Sequence, residues 1–138
     1  MLLVIAVLIV FAESAQQSED CSGFTKQAEF AAFVKEIGDM TLNCSLILKS
    51  AEKLKSENGD YLYSRKSTVK AISTDDGHFK KLLSSMPKDE IKNGNYSYYG
   101  CSWRRKFLGT DYYYQEHYEG TVACVFRRNY TIVKCAAQ

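Results

Sequence analysis

Five cysteines constrain the fold of this chain more than any other feature. Among its 138 residues they are Cys21, Cys44, Cys101, Cys124 and Cys135. Small extracellular domains use disulfides to supplement a limited hydrophobic core, whereas reducing compartments keep thiols free. We therefore expect an extracellular domain stabilised by two intramolecular disulfides. Because five is odd, one thiol is left over, and we expect it to be Cys21, near the start of the exported chain.

The first twelve residues, MLLVIAVLIVFA, are almost wholly apolar. A bilayer-spanning helix needs roughly 20 apolar residues, so this run is too short to cross a membrane. It fits the apolar part of a secretory signal, and Ala12, Ser14 and Ala15 supply small residues for cleavage. We therefore expect residues 1–15 to be a signal peptide and residues 16–138 to form one secreted domain, without stable membrane insertion.

Charge excludes one class of partner. The chain carries 18 basic and 16 acidic residues, a formal net charge of +2 at pH 7. This balance is too small to indicate binding to nucleic acid. The two basic clusters, residues 104–106 and residues 127–128, are expected at solvated strand ends rather than at a site for polyanions.

Three Asn-X-Ser/Thr triplets predict candidate glycosylation sites in an exported chain. They begin at Asn43, Asn95 and Asn129. The middle residue of the first triplet is Cys44, and pairing of this cysteine would limit access to Asn43.

The front half of the chain predicts helices. Phe30, Phe33, Val34 and Ile37 recur at the spacing of one helical face, and Gly38 is a suitable end. A second apolar face is formed by Met40, Cys44, Ile47, Ala51 and Leu54, and the pair Asn58-Gly59 ends it. A third helix is expected to begin after Ser73 or Thr74, with an apolar stripe of Phe79, Leu82, Leu83 and Met86, and to stop at Pro87. Between the second and third helices we expect a strand around Thr68–Ile72.

The back half predicts an antiparallel sheet. Tyr99, Cys101, Trp103 and Phe107 alternate onto one face of a strand, as do Val122, Cys124 and Phe126 on the next. The segment from Gly109 to Glu119 between them is expected to be a surface loop or a flared ribbon, and Tyr130–Cys135 is a third candidate strand. Helices followed by strands predict an α+β domain. We expect Phe33, Ile47, Leu83 and Trp103 to be buried together between helices and sheet.

Two disulfide pairings are compatible with this arrangement. Counting outward from the centre of the connecting loop places Cys101 opposite Cys124 if the ribbon has no bulge, which allows a bridge but does not require one. Alternatively, Cys101 reaches Cys44 on the second helix, and Cys124 is left for Cys135.

Residues for catalysis or metal binding are sparse. The chain has no GxSxG motif, and His78 and His117 are its only imidazoles. Neither histidine belongs to a HExxH motif, and no paired CxxC motif is present. We expect no catalytic residues, no metal and no cofactor.

Tyrosines give the clearest indication of binding. Tyr112, Tyr113, Tyr114 and Tyr118 crowd the segment between the two predicted strands. Tyrosine provides a large contact area and a polar end at a small entropic cost, so recognition loops use it often. These four residues, together with His78, are the candidate binding residues; the alternative is that several of the tyrosines cover the sheet.

Four motifs, in order along the chain, resemble the CAP superfamily of cysteine-rich secretory, antigen 5 and pathogenesis-related proteins. Gly77-His78-Phe79 followed by Leu82-Leu83 resembles a divergent G-H-[FY]-[TS]-Q signature. The segment Met40–Ala51 resembles the family's M-x-L-x-x-C-x-L-E-x-x-A helix, Tyr99-Gly100-Cys101 its apolar-G-C strand, and Val122–Phe126 its last cysteine strand. The chain is most similar in style to the secreted CAP-like proteins of parasitic nematodes.

The resemblance implies a three-layer α-β-α sandwich with a small antiparallel sheet. The family's cleft uses two histidines and two acidic residues and sometimes holds a divalent cation. Here His78 alone stands at a matching position, and Lys80, Lys81 and Ser84 replace other signature residues. His78 is therefore interpreted as a remnant of that site, partly exposed at the edge of its helix.

The sequence thus predicts a secreted, non-enzymatic binding protein whose partner is an extracellular protein or a lipid. The resemblance implies a host-interacting or immunomodulatory effector, or a lipid or sterol carrier. One alternative is an inhibitor of a protease or another enzyme that presents the tyrosine-rich segment. A lesser alternative is a metal-dependent enzyme that uses His78 and His117.

Overall fold

The computed structural model describes residue 21, residues 23–52 and residues 59–128. Four helices and four strands lie within these ranges. In chain order they are α1 (Gln27–Ile37), β1 (Thr41–Leu42), α2 (Cys44–Ala51), β2 (Asp60–Lys70), α3 (Asp75–Ser84), α4 (Lys88–Asn93), β3 (Tyr98–Thr110) and β4 (Glu116–Arg127). The predicted α+β class is confirmed. The signal peptide and the strand Tyr130–Cys135 lie outside the described residues.

The strands form one mixed sheet in the order β1-β3-β4-β2. The two residues of β1 run parallel to the start of β3, and β4 pairs antiparallel with β3 on one side and β2 on the other. In the β3–β4 ladder Cys101 lies opposite Cys124, but the ribbon contains a bulge between Phe107 and Gly109, so the condition on which this prediction rested is not met. The finer prediction, a three-layer sandwich of CAP type, stays a prediction.

Two glycines show how helices approach the sheet. A Cβ atom on Gly100 of β3 would collide with the backbone of Leu46 and Ile47 in α2. A Cβ atom on Gly120 of β4 would lie 2.5 Å from the ring of His78 in α3. Gly120 pairs with Arg105, an odd-numbered position of β3, whereas Gly100 is an even-numbered one, so the two glycines face opposite sides. We call these sides the α2 face and the α3 face.

The main hydrophobic core lies on the α3 face. It combines the stripe of α1 with residues of α3, α4 and the central strands: Phe30, Phe33, Val34, Ile37, Phe79, Leu82, Met86, Ile91, Tyr96, Tyr99, Cys101, Val122, Cys124 and Phe126. The four predicted stripe residues of α1 are all buried, and the helix ends before Gly38. The prediction that Phe33, Ile47, Leu83 and Trp103 are buried together is wrong for Ile47, which belongs to α2 on the other face. Leu83 and Trp103 are partly buried against the core.

Helix α2 differs from the prediction at its start, whereas helix α3 begins after Thr74 and stops before Pro87, as predicted. Helix α2 begins at Cys44 rather than near Met40, because the Asn43 side chain caps it by accepting a hydrogen bond from Ser45 N. Its buried residues are Leu46, Ile47 and Ser50, whereas Ala51 is exposed. Helix α3 begins after Thr74, whose hydroxyl accepts from Gly77 N, and it ends at Ser84, before Pro87. Leu54 and Asn58 lie outside the described residues.

The strand before α3 is longer than predicted and lies earlier. It covers Asp60–Lys70 instead of Thr68–Ile72, and Ile72 falls in the turn that follows. Its eleven residues pair with β4 from Arg127 to His117, so β2 forms one edge of the sheet.

Two disulfides, Cys21–Cys44 and Cys101–Cys124, lie within the described residues. The prediction that Cys21 is the odd thiol is wrong, because the segment before α1 brings Cys21 against the first residue of α2. The alternative Cys44–Cys101 pairing is wrong for the same reason. Cys135 lies outside the described residues.

Helix lengths bear on membrane crossing. Among the described residues, no helix is both long enough and apolar enough to span a membrane.

Candidate binding hairpin

The β3–β4 hairpin carries three adjacent exposed tyrosines at its end. Strand β3 ends at Thr110 and β4 begins at Glu116, so the connection is far shorter than the predicted loop. Tyr112, Tyr113 and Tyr114 are 92%, 81% and 91% exposed. We call these three residues the tyrosine tip. Scattered apolar surface residues need no explanation, but three adjacent aromatic rings in water indicate a contact surface.

Asp111 organises the backbone of the tip. Its Oδ1 accepts hydrogen bonds from the backbone N–H groups of Tyr113 (2.8 Å) and Gln115 (3.0 Å). Its own N–H donates to Gln115 O at 2.9 Å, and its carbonyl accepts from Tyr114 N at 3.1 Å. Aspartate side chains commonly close turns in this way. Four hydrogen bonds on one residue therefore hold the turn in a single backbone conformation.

The second carboxylate oxygen of Asp111 is held as well. Its Oδ2 lies 2.8 Å from His117 Nε2, a residue of β4 just below the turn. Hydrogen bonds from the His117 side chain and then from the Gln115 backbone lower the pKa of Asp111. The folded turn therefore favours the ionised form of the Asp111 carboxylate. This carboxylate connects the tip to His117 of strand β4.

Tyr114 adopts a backbone conformation that tyrosine rarely occupies. Its φ angle is +62°, in the left-handed region where glycine and asparagine are favoured. The hydrogen bonds around Asp111 hold it there. An uncommon conformation at an exposed residue is often associated with a functional site.

Other exposed apolar side chains lie near the base of the tip. Phe107 and Leu108 on β3 are 53% and 47% exposed. Ile72, in the turn after β2, is 91% exposed, and the neighbouring Ala71 N–H donates to Glu116 O at 2.9 Å. That bond fixes the turn beside the hairpin, so the apolar surface extends from the tip onto this end of the sheet.

Tyr118 does not belong to the exposed group with which it was predicted. It lies on β4, partly buried, with the Arg105 guanidinium 4.3 Å from its ring centroid and the Phe107 ring beside it at 5.5 Å. Its hydroxyl donates to Glu116 Oε2 at 2.6 Å. Tyr118 covers the hairpin, which is the alternative reading of the tyrosines.

The expectation that His78 is partly exposed is wrong. The side chain is 1% exposed, because it points from the first turn of α3 onto Gly120, where the absence of a Cβ leaves room for the ring. Its Nε2 lies 2.9 Å from Ser67 Oγ, and its Nδ1 has no hydrogen-bond partner among the described residues. Burial, followed by the positive charge of Arg105, lowers its pKa. His78 is therefore a buried neutral ring, not an accessible binding residue.

The two histidines are not brought together. His78 packs on the α3 face against Gly120, whereas His117 lies three residues away on β4, at a position that alternation directs to the α2 face. Within the described ranges, no group of three or more His, Cys, Asp or Glu side chains is arranged to hold a metal ion.

The candidate glycosylation residues differ in accessibility. Asn95 is exposed, with a left-handed φ of +52°. Asn43 is partly buried, and its side chain accepts from Ser45 N and Ser45 Oγ. Asn129 lies outside the described residues.

Sequence reasoning missed the residue that organises the hairpin. An aspartate that begins a turn between two strands is a common source of side-chain-to-backbone hydrogen bonds, and Asp111 carried that signal. It also missed Ile72 and Leu108, because an exposed apolar residue has no signature in a single sequence.

The helices, the mixed sheet and the two disulfides of the described chain form a disulfide-bonded α+β domain, and its β3–β4 hairpin ends in an exposed aromatic turn. No family model, curated protein or solved structure matches this chain. The resemblance to CAP proteins therefore stays a prediction.

Proposed function

We propose that this chain is a secreted, non-enzymatic binding protein that recognises an extracellular protein through the tyrosine tip. One observation supports the proposal most: three adjacent tyrosines, each more than four-fifths exposed, on a turn that Asp111 holds by four backbone hydrogen bonds. A monomeric protein gains no stability from such an arrangement. A complex in which a partner covers the three rings is stabilised, because their apolar surface is then removed from water.

Preorganisation makes the tip suitable for recognition. Ordering a side chain or a loop on binding costs free energy that is subtracted from the affinity. Here the turn is already ordered, and tyrosine has only two side-chain torsions to fix. Most of the apolar surface covered at the tip can therefore contribute to affinity.

Inhibition of an extracellular enzyme is the second candidate function. It is favoured by the same fixed turn, since a rigid segment that projects from a disulfide-bonded domain can occupy a cleft without unfolding. The CAP resemblance favours a host-directed effector, with a lipid or sterol as the other class of ligand. The metal-dependent alternative gains no support from the geometry, because His78 is buried on the face of the sheet opposite His117.

The experiment that tests the proposal compares partner capture by two matched variants. The first replaces Tyr112, Tyr113 and Tyr114 with serine. The control is Leu48→Ser, which removes an apolar side chain that is 52% exposed on α2, away from the hairpin. We expect proteins captured from extracellular fluid by the unchanged chain and by Leu48→Ser to be lost with the triple variant. Identical capture by all three chains would contradict the proposal.

A second variant separates the shape of the tip from its surface. Asp111→Ala keeps all three tyrosines but removes the acceptor of two backbone hydrogen bonds. We expect its affinity for the captured partner to fall about threefold to tenfold, because the turn must then be ordered on binding. An extracellular protease panel distinguishes the inhibitor, which lowers enzyme activity in a saturable way, from a binder without that effect.

A further inference from the structure

In the part of the chain that the structure describes, strand β3 has an open outer edge over most of its length. Strand β1 pairs only with its first two residues, Tyr98 and Tyr99. From Cys101 to Thr110, β4 lies on one side of β3, and no strand of the described chain lies on the other. Such an edge exposes unpaired backbone donors and acceptors, which can pair with another extended chain.

Two hydrogen bonds show which backbone groups face this edge. Asn43 N donates to Tyr99 O at 2.9 Å, and Gln27 Nε2 donates to Cys101 O at 3.1 Å. Because backbone groups alternate along a strand, the N–H and C=O groups of Trp103 and Arg105 point the same way. Within residues 21, 23–52 and 59–128, no hydrogen bond reaches these four groups. As far as the described part of the chain is concerned, these four groups can pair with a peptide.

A groove lies on each side of this edge, and both grooves are lined by Trp103 and by Thr25, a residue of the segment before α1. The groove on the α2 side has a volume of about 280 Å³ and includes Ser50, Ser102 and Arg104. The groove on the other side is shallower and larger, about 650 Å³, and includes Lys26 and Asp75. Side chains of an added strand would point alternately into the two grooves, which is how strand-binding domains obtain selectivity.

The charge of the α2 side selects the ligand. Arg104 and Lys106 point to this side and are exposed, and neither forms an ion pair with a described residue. Glu119, which lies opposite Lys106 on β4, is paired with Lys66 at 3.3 Å. On the other side Lys26 is paired with Asp76 at 3.1 Å, so that groove carries charges of both signs. The unpaired charge beside the edge is therefore positive.

We infer that the edge of β3 binds an extended peptide by strand addition, with acidic residues at two alternate positions facing Arg104 and Lys106. The backbone groups of Trp103 and Arg105 supply the pairing, and the two basic side chains select the sequence. This site is separate from the tyrosine tip and does not depend on its proposed role.

A second copy of this chain is a poor occupant of the same edge. Antiparallel self-pairing centred on Arg105 would place Arg104 of one copy opposite Lys106 of the other. Like charges directly opposite each other destabilise a strand pair. Basic residues on an edge strand thus oppose self-association while they attract an acidic strand.

Peptide binding to the purified secreted protein tests the inference. The probe is a fluorescein-labelled peptide, Thr-Val-Glu-Val-Glu-Val-Thr, measured by anisotropy. One control peptide has lysine in place of both glutamates, and another is N-methylated at alternate backbone amides, which blocks pairing but keeps the charges. We expect saturable binding of the probe that weakens with added salt, and at least about tenfold weaker binding of each control.

Variants locate the site on the protein. We expect Arg104→Glu with Lys106→Glu to weaken binding of the probe at least about tenfold. The matched control is Lys70→Glu, an exposed lysine on the same face but at the opposite edge of the sheet. It should bind unchanged, as should the serine triple variant of the tyrosine tip.

Hydrogen exchange distinguishes strand pairing from binding by charge alone, because only pairing slows the exchange of the backbone amides at the edge. On binding, the amides of Trp103 and Arg105 should exchange at least about tenfold more slowly, whereas those of Ser102 and Arg104, already paired with β4, should change little. No binding, or binding without protection of the two amides, would overturn the inference. Protection before any peptide is added would also overturn it, because another segment or a second copy would then cover the edge, and sedimentation distinguishes these two cases.

Discussion

At the scale of single residues, His78 shows how a residue with a catalytic appearance can have a structural role. Its ring fills the space above Gly120 and contacts the edge of the Trp103 ring, with centroids 5.5 Å apart. The bond to Ser67 explains why a serine faces the core side of β2. The sequence Gly77-His78-Phe79 resembles a functional motif, but the His78 ring is buried here because Gly120, which has no Cβ, leaves room for it.

Burial of a neutral histidine makes stability depend on pH. Burial lowers the pKa of His78 below its ordinary value near 6.5, so the folded chain resists protonation while the unfolded chain accepts it. The stabilisation is therefore present above about pH 6.5 and is lost as pH falls from there towards the folded pKa. We expect the free energy of unfolding to fall over this range with a slope of at most about 1.4 kcal/mol per pH unit.

Chemical denaturation at several pH values measures this slope. His78→Gln keeps a side chain able to bond to Ser67 but removes the titrating group, so its slope should be smaller than that of the unchanged chain. Equal slopes for the two chains between pH 6.5 and pH 5 would show that His78 does not titrate differently in the folded state. Asp75, which opposes the effect of Arg105 on this pKa, stays in place in both chains.

At the scale of elements, the contact between α2 and β3 depends on a missing side chain. Gly100 lets the α2 backbone at Leu46 and Ile47 approach the strand directly. Both of these residues are fully buried. The close approach also positions Ser50, whose hydroxyl donates to Ile47 O and bonds to Ser102 Oγ at 2.9 Å. Helix α2 is thereby fixed against the sheet by backbone contact rather than by a thick layer of side chains.

Adding one methyl group should displace this helix. Gly100→Ala places a Cβ against backbone atoms, which cannot move aside as a flexible side chain can. We expect a loss of about 1–3 kcal/mol in the free energy of unfolding, typical of overpacking. Gly23→Ala is the control, because its Cβ would meet no atom within 4 Å. A thermal melt of Gly100→Ala that matched that of Gly23→Ala would refute this account of the contact.

The elements that could be predicted from sequence are those with one clear pattern. The stripe of α1 and the alternation of β3 and β4 are local, so this helix and the two antiparallel strands could be predicted, whereas the Cys101–Cys124 register also depends on the bulge between Phe107 and Gly109. Strand β2 was mostly missed because its core-facing positions include Arg65 and Ser67, which hide the alternation. Each of these is accommodated by a residue elsewhere: the Ser85 carbonyl accepts from Arg65 Nε, and His78 bonds to Ser67.

Some features of the candidate site could also be predicted from the sequence, and others could not. The sequence shows that tyrosines cluster in this segment. Their exposure depends on where the strands end and on the hydrogen bonds of Asp111, which the sequence pattern does not reveal. The pairing of Cys21 with Cys44 could not be predicted, because it depends on the path of the chain before α1. Long-range proximity of this kind has no local pattern in a single sequence.

At the scale of the whole molecule, a buried carboxylate links the front and back of the chain. Asp60, 5% exposed at the start of β2, accepts hydrogen bonds from Arg127 Nε (2.6 Å) and Nη2 (2.9 Å) at the end of β4. Lys49 of α2 donates to it at 2.6 Å. Hydrogen bonds from Arg127 are the main cause of its lowered pKa, which burial partly opposes. Three elements therefore meet at one charge.

Removing this charge should destabilise the whole domain. Asp60→Ala removes the carboxylate that Arg127 and Lys49 both bind, and we expect a loss of about 2–4 kcal/mol in the free energy of unfolding at pH 7. Because the folded pKa of Asp60 is lowered, its contribution is present above about pH 3.8 and is lost as pH falls through the folded pKa. Asp89→Ala, an exposed position on α4, is the control. Similar urea midpoints for both variants at pH 7 would contradict this role.

The Cys101–Cys124 disulfide also determines what remains of the hairpin when the domain unfolds. The bridge joins positions 23 residues apart, so the tyrosine tip lies within a small covalent ring. In the oxidised chain the two arms of this ring cannot separate, even when every helix has melted, and much of the loop-closure entropy of the hairpin is already lost. Denaturation therefore leaves the three tyrosines on a short tethered loop, and the hairpin can re-form without searching for its register.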